Sequence, residues 1–348
     1  MKDTVKTPAW TDGEGSRGDI VLTSRCRLAR NFKEIPFPHR AGEKERASVA
    51  VMVRDLLQDN PVFSGHLWID LKDLSPLERA LLLEEHVISP AFSTEAAGGR
   101  ALTHNPRKTE SMMVNEEDHL RIQVIEPGLE LKKCWHRVNR LDDEIESVMD
   151  YAFSSETGFK TACPSNMGTG LRASVMLHLP ALFAMGSYKG MSQYYTSLGM
   201  TVRGVMGEGT AVTGNLVQIS NPQMEMQPEE ETISRLEKTA LHIVEQEKSA
   251  REKLFFESRE ASLDKVHRDL ALLQSARVLP FEEFMSRISS VRMGVEEGVL
   301  PPIPRSLMGR LLLMARPACL QVIFKKAGEG EALDVLRASL VREQLTGY

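Results

Sequence analysis

Two short runs alternate strictly between apolar and polar residues, and they limit the possible folds of this chain more than any other feature. In HLRIQVI (119–125), Leu120, Ile122 and Val124 face one way; His119, Arg121 and Gln123 face the other. In LRASVMLHLPAL (171–182), Ala173, Val175, Leu177 and Leu179 form the apolar side, while Arg172, Ser174 and His178 form the polar one. A period of two implies strands with one buried face. DIVLTSRCRLAR (19–30), MTVRGV (200–205) and GNLVQIS (214–220) read as further strands. Strand–helix–strand spacing is absent from the middle of the chain, so the strands suit an antiparallel sheet.

Helical periodicity covers 42–59 and 75–88. LDDEIESVMDYAF (141–153) reads as an amphipathic helix with Leu141, Ile145, Val148, Met149 and Ala152 on one side. The character changes at Pro222–Pro228. Residues 229–260 read as one long helix, with carboxylates in its first turn behind Pro228. Two or three shorter helices follow, broken by Pro280 and by LPPIP (300–304). Residues 1–18 are polar and Gly-rich, which suggests a loose arm. The expected architecture is α+β: an antiparallel sheet flanked by helices over 19–225, then a smaller all-helical domain over 226–348. Their boundary falls somewhere within 225–260.

A hydrophobic fraction of 42% in 348 residues supports a real core. A net charge of −5 argues against nucleic acid as the main partner. Cys26, Cys134, Cys163 and Cys319 are widely spaced, with no CxxC pair, so neither a zinc site nor a disulfide framework is signalled. The N-terminus has no apolar core and no run reaches 18 apolar residues, which points away from a membrane and towards the cytoplasm.

Arg25, Arg27, Arg121, Arg172 and Arg203 all fall at polar positions of the strands or at their ends. One such arginine is usually a solvated strand face. Five on neighbouring strands repel unless an anion sits among them. Arginine presents a permanently charged planar fork that fits phosphate oxygens, so a triphosphate is a natural guest. No glycine-rich phosphate loop of a known type is present. Two acidic places adjoin the arginines: Glu116, Glu117 and Asp118 in VNEEDH, and Glu208 five residues after Arg203. Such carboxylates can hold magnesium through water, act as a base, or grip a cationic acceptor. Cys163, in CPSNMGTGLRAS (163–174), is a candidate reactive thiol without a His–Asn pattern to make a protease.

SRCRLARN (24–31), VNEEDHLRIQ (114–123) and CPSNMGTGLRASVMLHLPAL (163–182), in this order along the chain, resemble signature blocks of the phosphagen, or guanidino, kinases. Small-molecule members carry a helical domain ahead of the first block; here that block begins at Ser24. The layout, with a helical extension afterwards, resembles bacterial protein-arginine kinases of the McsB type, and the likeness extends through EQEKSAREKL and LRASLVREQL.

The resemblance implies transfer of the γ-phosphoryl of MgATP to arginine side chains in proteins. It implies nucleotide binding by Ser24, Arg25, Cys26, Arg27 and Leu28, by His86 and Arg121, and by Arg172, Ala173, Ser174, Val175 and Met176. Arg203, Gly204, Val205, Met206, Gly207 and Glu208 complete that set. Glu117 and Glu208 would grip the guanidinium and take its proton, with Cys163 beside it. Magnesium would be held mainly through ATP, with no protein metal site. Relatives often carry an RDxxRA phosphoarginine motif; here it reads LDVLRA (333–338), with Leu333 in place of the first arginine and Asp334 and Arg337 retained. The resemblance further implies a homodimer, a zinc-binding activator, a Clp-type protease system and stress-response clients. Two alternatives stay open: a kinase for free arginine or another small guanidine, and an inactive adaptor for arginine-rich proteins.

Overall fold

The computed structural model describes residues 7–95, 97–204, 212–224, 226–326 and 328–348. Its strands are β1 (Val21–Arg30), β2 (Leu67–Asp70), β3 (Ala101–His104), β4 (Glu110–Val114), β5 (Leu120–Pro127), β6 (Phe153–Ser154), β7 (Gly158–Phe159), β8 (Leu171–His178), β9 (Thr201–Gly204) and β10 (Leu216–Ser220). The helices of the first part are α1 (Glu43–Asp59), α2 (Pro76–Glu84), α3 (Pro90–Thr94), α4 (Leu131–Glu146), α5 (Pro180–Ala184) and α6 (Tyr188–Ser197). Those that follow are α7 (Glu229–Glu257), α8 (Arg259–Ser275), α9 (Phe281–Glu296), α10 (Arg305–Met314), α11 (Pro317–Phe324) and α12 (Glu331–Leu345).

Eight strands form one antiparallel sheet in the order β2-β3-β4-β5-β1-β8-β10-β9; β6 and β7 make a separate hairpin. The α+β expectation therefore holds, with a helical C-terminal part. The sheet's apolar face carries Cys26, Leu28, Ile122, Val124, Ala173, Val175 and Leu177, all with no exposed surface. Helices α1, α4 and α7 cover it. In α4 the buried residues Leu131, Cys134, Trp135, Val138, Leu141 and Ile145 recur every three or four positions. Each large apolar side chain among them contributes about 1.5–3 kcal/mol on burial.

Several element limits differ from the sequence reading. The amphipathic helix placed at 141–153 begins ten residues earlier and ends before Val148. The long helix breaks at Ser258, and α8 to α12 follow rather than two or three pieces. Residues 9–12, inside the segment read as a loose arm, form a 3-10 turn with Trp10 and Thr11 buried.

The second face of the sheet is only partly covered. On the β3–β4 flank, Leu102 and Met113 pack under Leu82, Val87, Ile88 and Phe92 of α2, α3 and their link. At one end, Ile125 packs with Trp10, Leu313 and Cys319. His178, expected at a solvated polar position, is buried and hydrogen-bonded to Ser289 of α9 (2.8 Å). What these elements leave uncovered is a central cleft.

Candidate active site

The cleft floor is built by strand register. Arg25 lies opposite Ile125 of β5 and Ser174 of β8; Arg27 lies opposite Gln123 and Arg172; Ala29 lies opposite Arg121. Beyond β8, Met176 pairs with Gln218, and Gln218 pairs with Arg203. Opposed residues of antiparallel strands share a face. Arg25, Arg27, Arg121, Arg172 and Arg203 therefore project together, with Ser174 and Met176 among them.

The same period of two takes other expected residues away. Ser24, Cys26, Leu28, Ala173 and Val175 send their side chains to the opposite face, into the core. Ser24 Oγ donates to the Gly128 carbonyl (2.8 Å) and accepts from the Glu130 N–H (2.9 Å). These five side chains lie on the far side of the sheet from the arginines, although Leu28 still lines the cleft along with Arg27 and Ala29. Gly204 ends β9. Val205, Met206, Gly207 and Glu208 lie outside the described residues.

The arginines repel one another. Burial, then the charges of Arg121, Arg203 and Arg172, push Arg25 down to about 9. Burial and the other four guanidinium groups hold Arg27 well below its ordinary value. Local acceptors meet part of the demand: Arg25 donates to Gln218 Oε1 (3.1 Å), and Arg172 donates to the Asn221 carbonyl (3.1 Å). Arg27 Nε is buried and makes no hydrogen bond among the described residues. An unsatisfied buried donor among five cations is a costly arrangement, and an anion of several oxygens would relieve it.

The turn between β4 and β5 brings the carboxylates to the margin, and its geometry gives each a different task. Asn115 turns the chain at φ +58° and ties it down by donating to the Arg46 and Gly99 carbonyls (2.9 and 2.6 Å). Burial pushes the Glu116 carboxyl up, but the Arg121 guanidinium (2.7 Å) and the Ser89 hydroxyl more than offset this and hold it below its usual range. Asp118 accepts from Asn31 Nδ2 and the Ala162 N–H (each 2.6 Å). Glu117 stands at the cleft margin, less covered than its two neighbours but not fully in solvent, and accepts no hydrogen bond among the described residues. Burial and neighbouring Glu116 push its carboxyl above the ordinary value.

Arg27, Arg121, Arg172, Arg203, Glu116, Glu117, Asp118 and Cys163 line a single pocket of about 240 Å³. Ser165, Asn166 and Gln223 line it too, and the sequence reading had not singled them out. The Cys163 thiol lies 2.9 Å from Ser165 Oγ. The loop carrying it rejoins the sheet at Gly170 (φ +70°), where a Cβ would sit 2.7 Å from the Ala29 carbonyl. Gln218 was also missed, although a polar residue two positions before Ser220 marks the same strand face. For the pairing of Glu116 with Arg121, local sequence gives no signal.

His86 is on the arginine face but outside that pocket. It ends the α2 turn at φ +61°, its ring is 5.2 Å from that of Trp10, and its carbonyl accepts from Gln123 Nε2 (2.8 Å). Burial, then the charges of Arg316 and Arg25, hold its imidazole well below the ordinary value, so it is neutral.

Asp334 and Arg337 are engaged elsewhere. Arg337 is buried in α12; Nε donates to the Ala315 carbonyl and Nη1 to the Leu279 carbonyl (2.8 Å each), and Nη1 also meets Asp334 (2.5 Å). Leu333 packs with Leu320 and Leu340. Among the described residues, no group of three or more His, Cys, Asp or Glu side chains is arranged to hold a metal ion. No single described helix is long and apolar enough to cross a membrane.

An antiparallel sheet with arginines gathered on one face and carboxylates at its margin defines the class, a guanidino-type phosphotransferase. The family model for the ATP:guanido phosphotransferase C-terminal catalytic domain matches residues 49–250. That for the protein-arginine kinase McsB C-terminal domain matches 259–348. The chain belongs to the protein-arginine kinase family of the ATP:guanido phosphotransferases. It is 41% identical to the protein-arginine kinase of Desulforamulus reducens, over 99% of this chain and 98% of that one. To the protein-arginine kinase of Bacillus subtilis it is 38% identical, over 97% and 93%. Among solved structures, the duplicated taurocyamine kinase of Schistosoma mansoni with bound transition-state-analogue components matches at a TM-score of 0.60 and 25% identity. That match covers 70% of this chain and 36% of the other. Lombricine kinase matches at 0.58 and 24%, covering 71% and 72%, a likeness of fold.

Proposed function

We propose that this chain is an ATP-dependent protein-arginine kinase, transferring the γ-phosphoryl of ATP to the guanidinium of arginine side chains in proteins. The observation that carries the reading is the convergence of five arginines on one sheet face beside Glu117, a carboxylate that accepts no hydrogen bond among the described residues. Relatives of nearly full-length similarity bear that activity in their names.

In this reading the arginine forks hold the triphosphate and neutralise charge that builds on the transferred phosphoryl. Magnesium bound with the nucleotide would supply further charge neutralisation beside the arginine forks. A guanidinium is a poor nucleophile, because its lone pairs are delocalised and its pKa exceeds about 12. Glu117 orients it and accepts its proton as the N–P bond forms and the bond to the ADP oxygen breaks. Glu208, outside the described residues, is assigned the partner role on sequence resemblance alone. Cys163 and Ser165 flank the acceptor. Residues 19–225 form the catalytic part and 226–348 the helical part. A cytoplasmic setting, a dimer, a zinc-binding activator and a Clp-type protease system belong to the same reading through family resemblance.

The test offers radiolabelled ATP with free arginine and, separately, with an unfolded basic protein. Products are analysed under conditions that preserve acid-labile P–N bonds. Label on protein arginines is expected. Label on free arginine but none on protein overturns the reading in favour of a small-guanidine kinase; no label on either favours an inactive adaptor.

A further inference from the structure

The cleft is closed at one end by C-terminal helices, and one carboxylate makes the joint. Glu84, the last residue of α2, accepts the N–H groups of Ala318 (Oε1, 2.9 Å) and Cys319 (Oε2, 2.9 Å) in the first turn of α11. Both oxygens are thus used on the positive end of a helix from the other end of the chain. Burial pushes the Glu84 carboxyl up; the two N–H groups and the Arg316 guanidinium counter this. Two residues beyond Glu84 stands His86, in the left-handed conformation that turns the chain back along the arginine face.

The turn is braced by several groups, most of which meet α10, α11 or the cleft floor. Trp10 Nε1 donates to the Glu85 carbonyl (3.1 Å) and its ring packs on His86. Trp10 also shares an apolar cluster with Leu313 of α10, Cys319 of α11 and Ile125, the residue opposite Arg25. Lys108 clamps the Glu85 carboxylate (2.5 Å). Gln123, opposite Arg27, holds the His86 carbonyl. The His86 turn and Ile125, the neighbour of Arg25 across the sheet, are thus both in contact with groups that hold α11.

We propose that Glu84 is a positioning residue for nucleotide binding: by capping α11 it fixes the His86 turn beside Arg25, so that the helical C-terminal part forms one wall of the nucleotide site. This rests on the phosphotransferase reading only in taking the arginine face as the ATP site. Glu84 itself touches no substrate. Its loss lets the His86 turn and the Arg25 end of the cleft relax while the Glu117 end, bound to the β4–β5 turn, keeps its geometry.

The experiment uses the full chain and reads ATP affinity directly by calorimetry, alongside KM for ATP, kcat and the melting temperature. Glu84→Ala is expected to weaken ATP binding about tenfold, from the loss of two charge-assisted hydrogen bonds that hold the turn. KM rises with it and kcat at saturating ATP falls much less. Glu84→Gln, whose amide oxygen still accepts one N–H, recovers part of the affinity and keeps the test alive should the alanine variant not fold. Arg287→Ala breaks the ion pair to Asp269 between α9 and α8 (2.6 Å), away from the His86 turn; it is expected to lower the melting temperature with ATP affinity unchanged. Unchanged ATP affinity in both Glu84 variants, or an equal loss in Arg287→Ala, overturns the proposal. If protein phosphorylation is absent from the wild type but ATP affinity follows Glu84, the functional reading fails and this one stands.

Discussion

At the scale of single residues, the site separates three adjacent acids into three jobs. Glu116 is tied to Arg121 and Asp118 to Asn31 and Ala162, which leaves Glu117 alone to meet an acceptor. Its raised pKa makes it a better base, because a weaker acid has a stronger conjugate base. Protonation removes the base, so activity falls as pH drops through that raised value. The acid limb of kcat/KM is therefore expected above the ordinary glutamate range of about 4.3; a limb at or below that range counts against Glu117 as the base. Glu117→Ala is expected to cut turnover by at least about a hundredfold, the scale of general-base catalysis, with ATP affinity retained. Undiminished turnover refutes the assignment. Arg172 tests the other half of the site. It stands directly opposite Arg27, and an anion between the two forks offsets their repulsion. Arg172→Lys keeps the charge and loses the planar pair of donors, so a large fall in activity with little change in melting temperature is expected. Wild-type turnover would show that charge alone suffices.

At the scale of elements, β1 is the strand on which the site hangs, and its far end is held by a buried ion pair. Arg30 donates through Nε (3.0 Å) and Nη2 (2.7 Å) to Asp142 of α4; Tyr151 OH donates to the other carboxylate oxygen (3.0 Å); the Phe159 ring lies 3.6 Å from the guanidinium. Arg30 Nη1 also grips the Thr169 carbonyl (2.9 Å), in the loop that carries Cys163. Asp142→Ala leaves a buried cation unpaired, which costs about 3–5 kcal/mol; urea unfolding checks it, and a loss below about 1 kcal/mol contradicts it. Arg30 could be read from the sequence only as one more arginine of SRCRLARN. Its partner lies 112 residues away, and no local pattern joins them. Strand parity, by contrast, was legible: alternation in β5 and β8 located Arg121 and Arg172 on one face without any knowledge of pairing. Parity also separates the side chains within each motif block, since Cys26 and Val175 cannot share a face with Arg25 and Arg172. The start of α4 was obscured by Lys132, Lys133, Arg137 and Arg140, although Leu131, Cys134, Trp135 and Val138 already formed its stripe. The break at Ser258 has no glycine or proline to announce it. There the N–H of Ser262 reaches the Ser258 carbonyl and its hydroxyl the Leu254 carbonyl, so the turn is settled by contacts across it.

At the scale of the whole molecule, the question is whether the sheet and the C-terminal helices are separable bodies. One continuous cluster of buried apolar residues runs from Ile20 to Leu345. Helix α7 puts Ile233, Leu236, Ala240, Ile243 and Val244 against the sheet side, and Glu247 at its centre accepts the N–H groups of Ala181 and Leu182 at the start of α5 (3.0 Å each). Farther on, Arg292 of α9 donates to the Gly18 carbonyl (2.7 Å) and Ser289 binds both His178 and Asn215. Gly309 of α10 approaches the N-terminal turn so closely that a Cβ would lie 2.2 Å from the Thr11 carbonyl. The hydrogen bonds among these contacts satisfy buried polar groups of one part with the other, so parting them exposes apolar surface and also orphans donors and acceptors. Chains of this length often unfold in steps. The shared core predicts instead one calorimetric transition for the full chain, with calorimetric and van't Hoff enthalpies equal, and a fragment ending at 225 that does not fold alone. ATP should move that single transition upward as a whole, by an amount equivalent to about 2.7 kcal/mol at a hundred times its Kd. Two resolved transitions, only one of them responding to ATP, would mean that the helices fold independently of the arginine face.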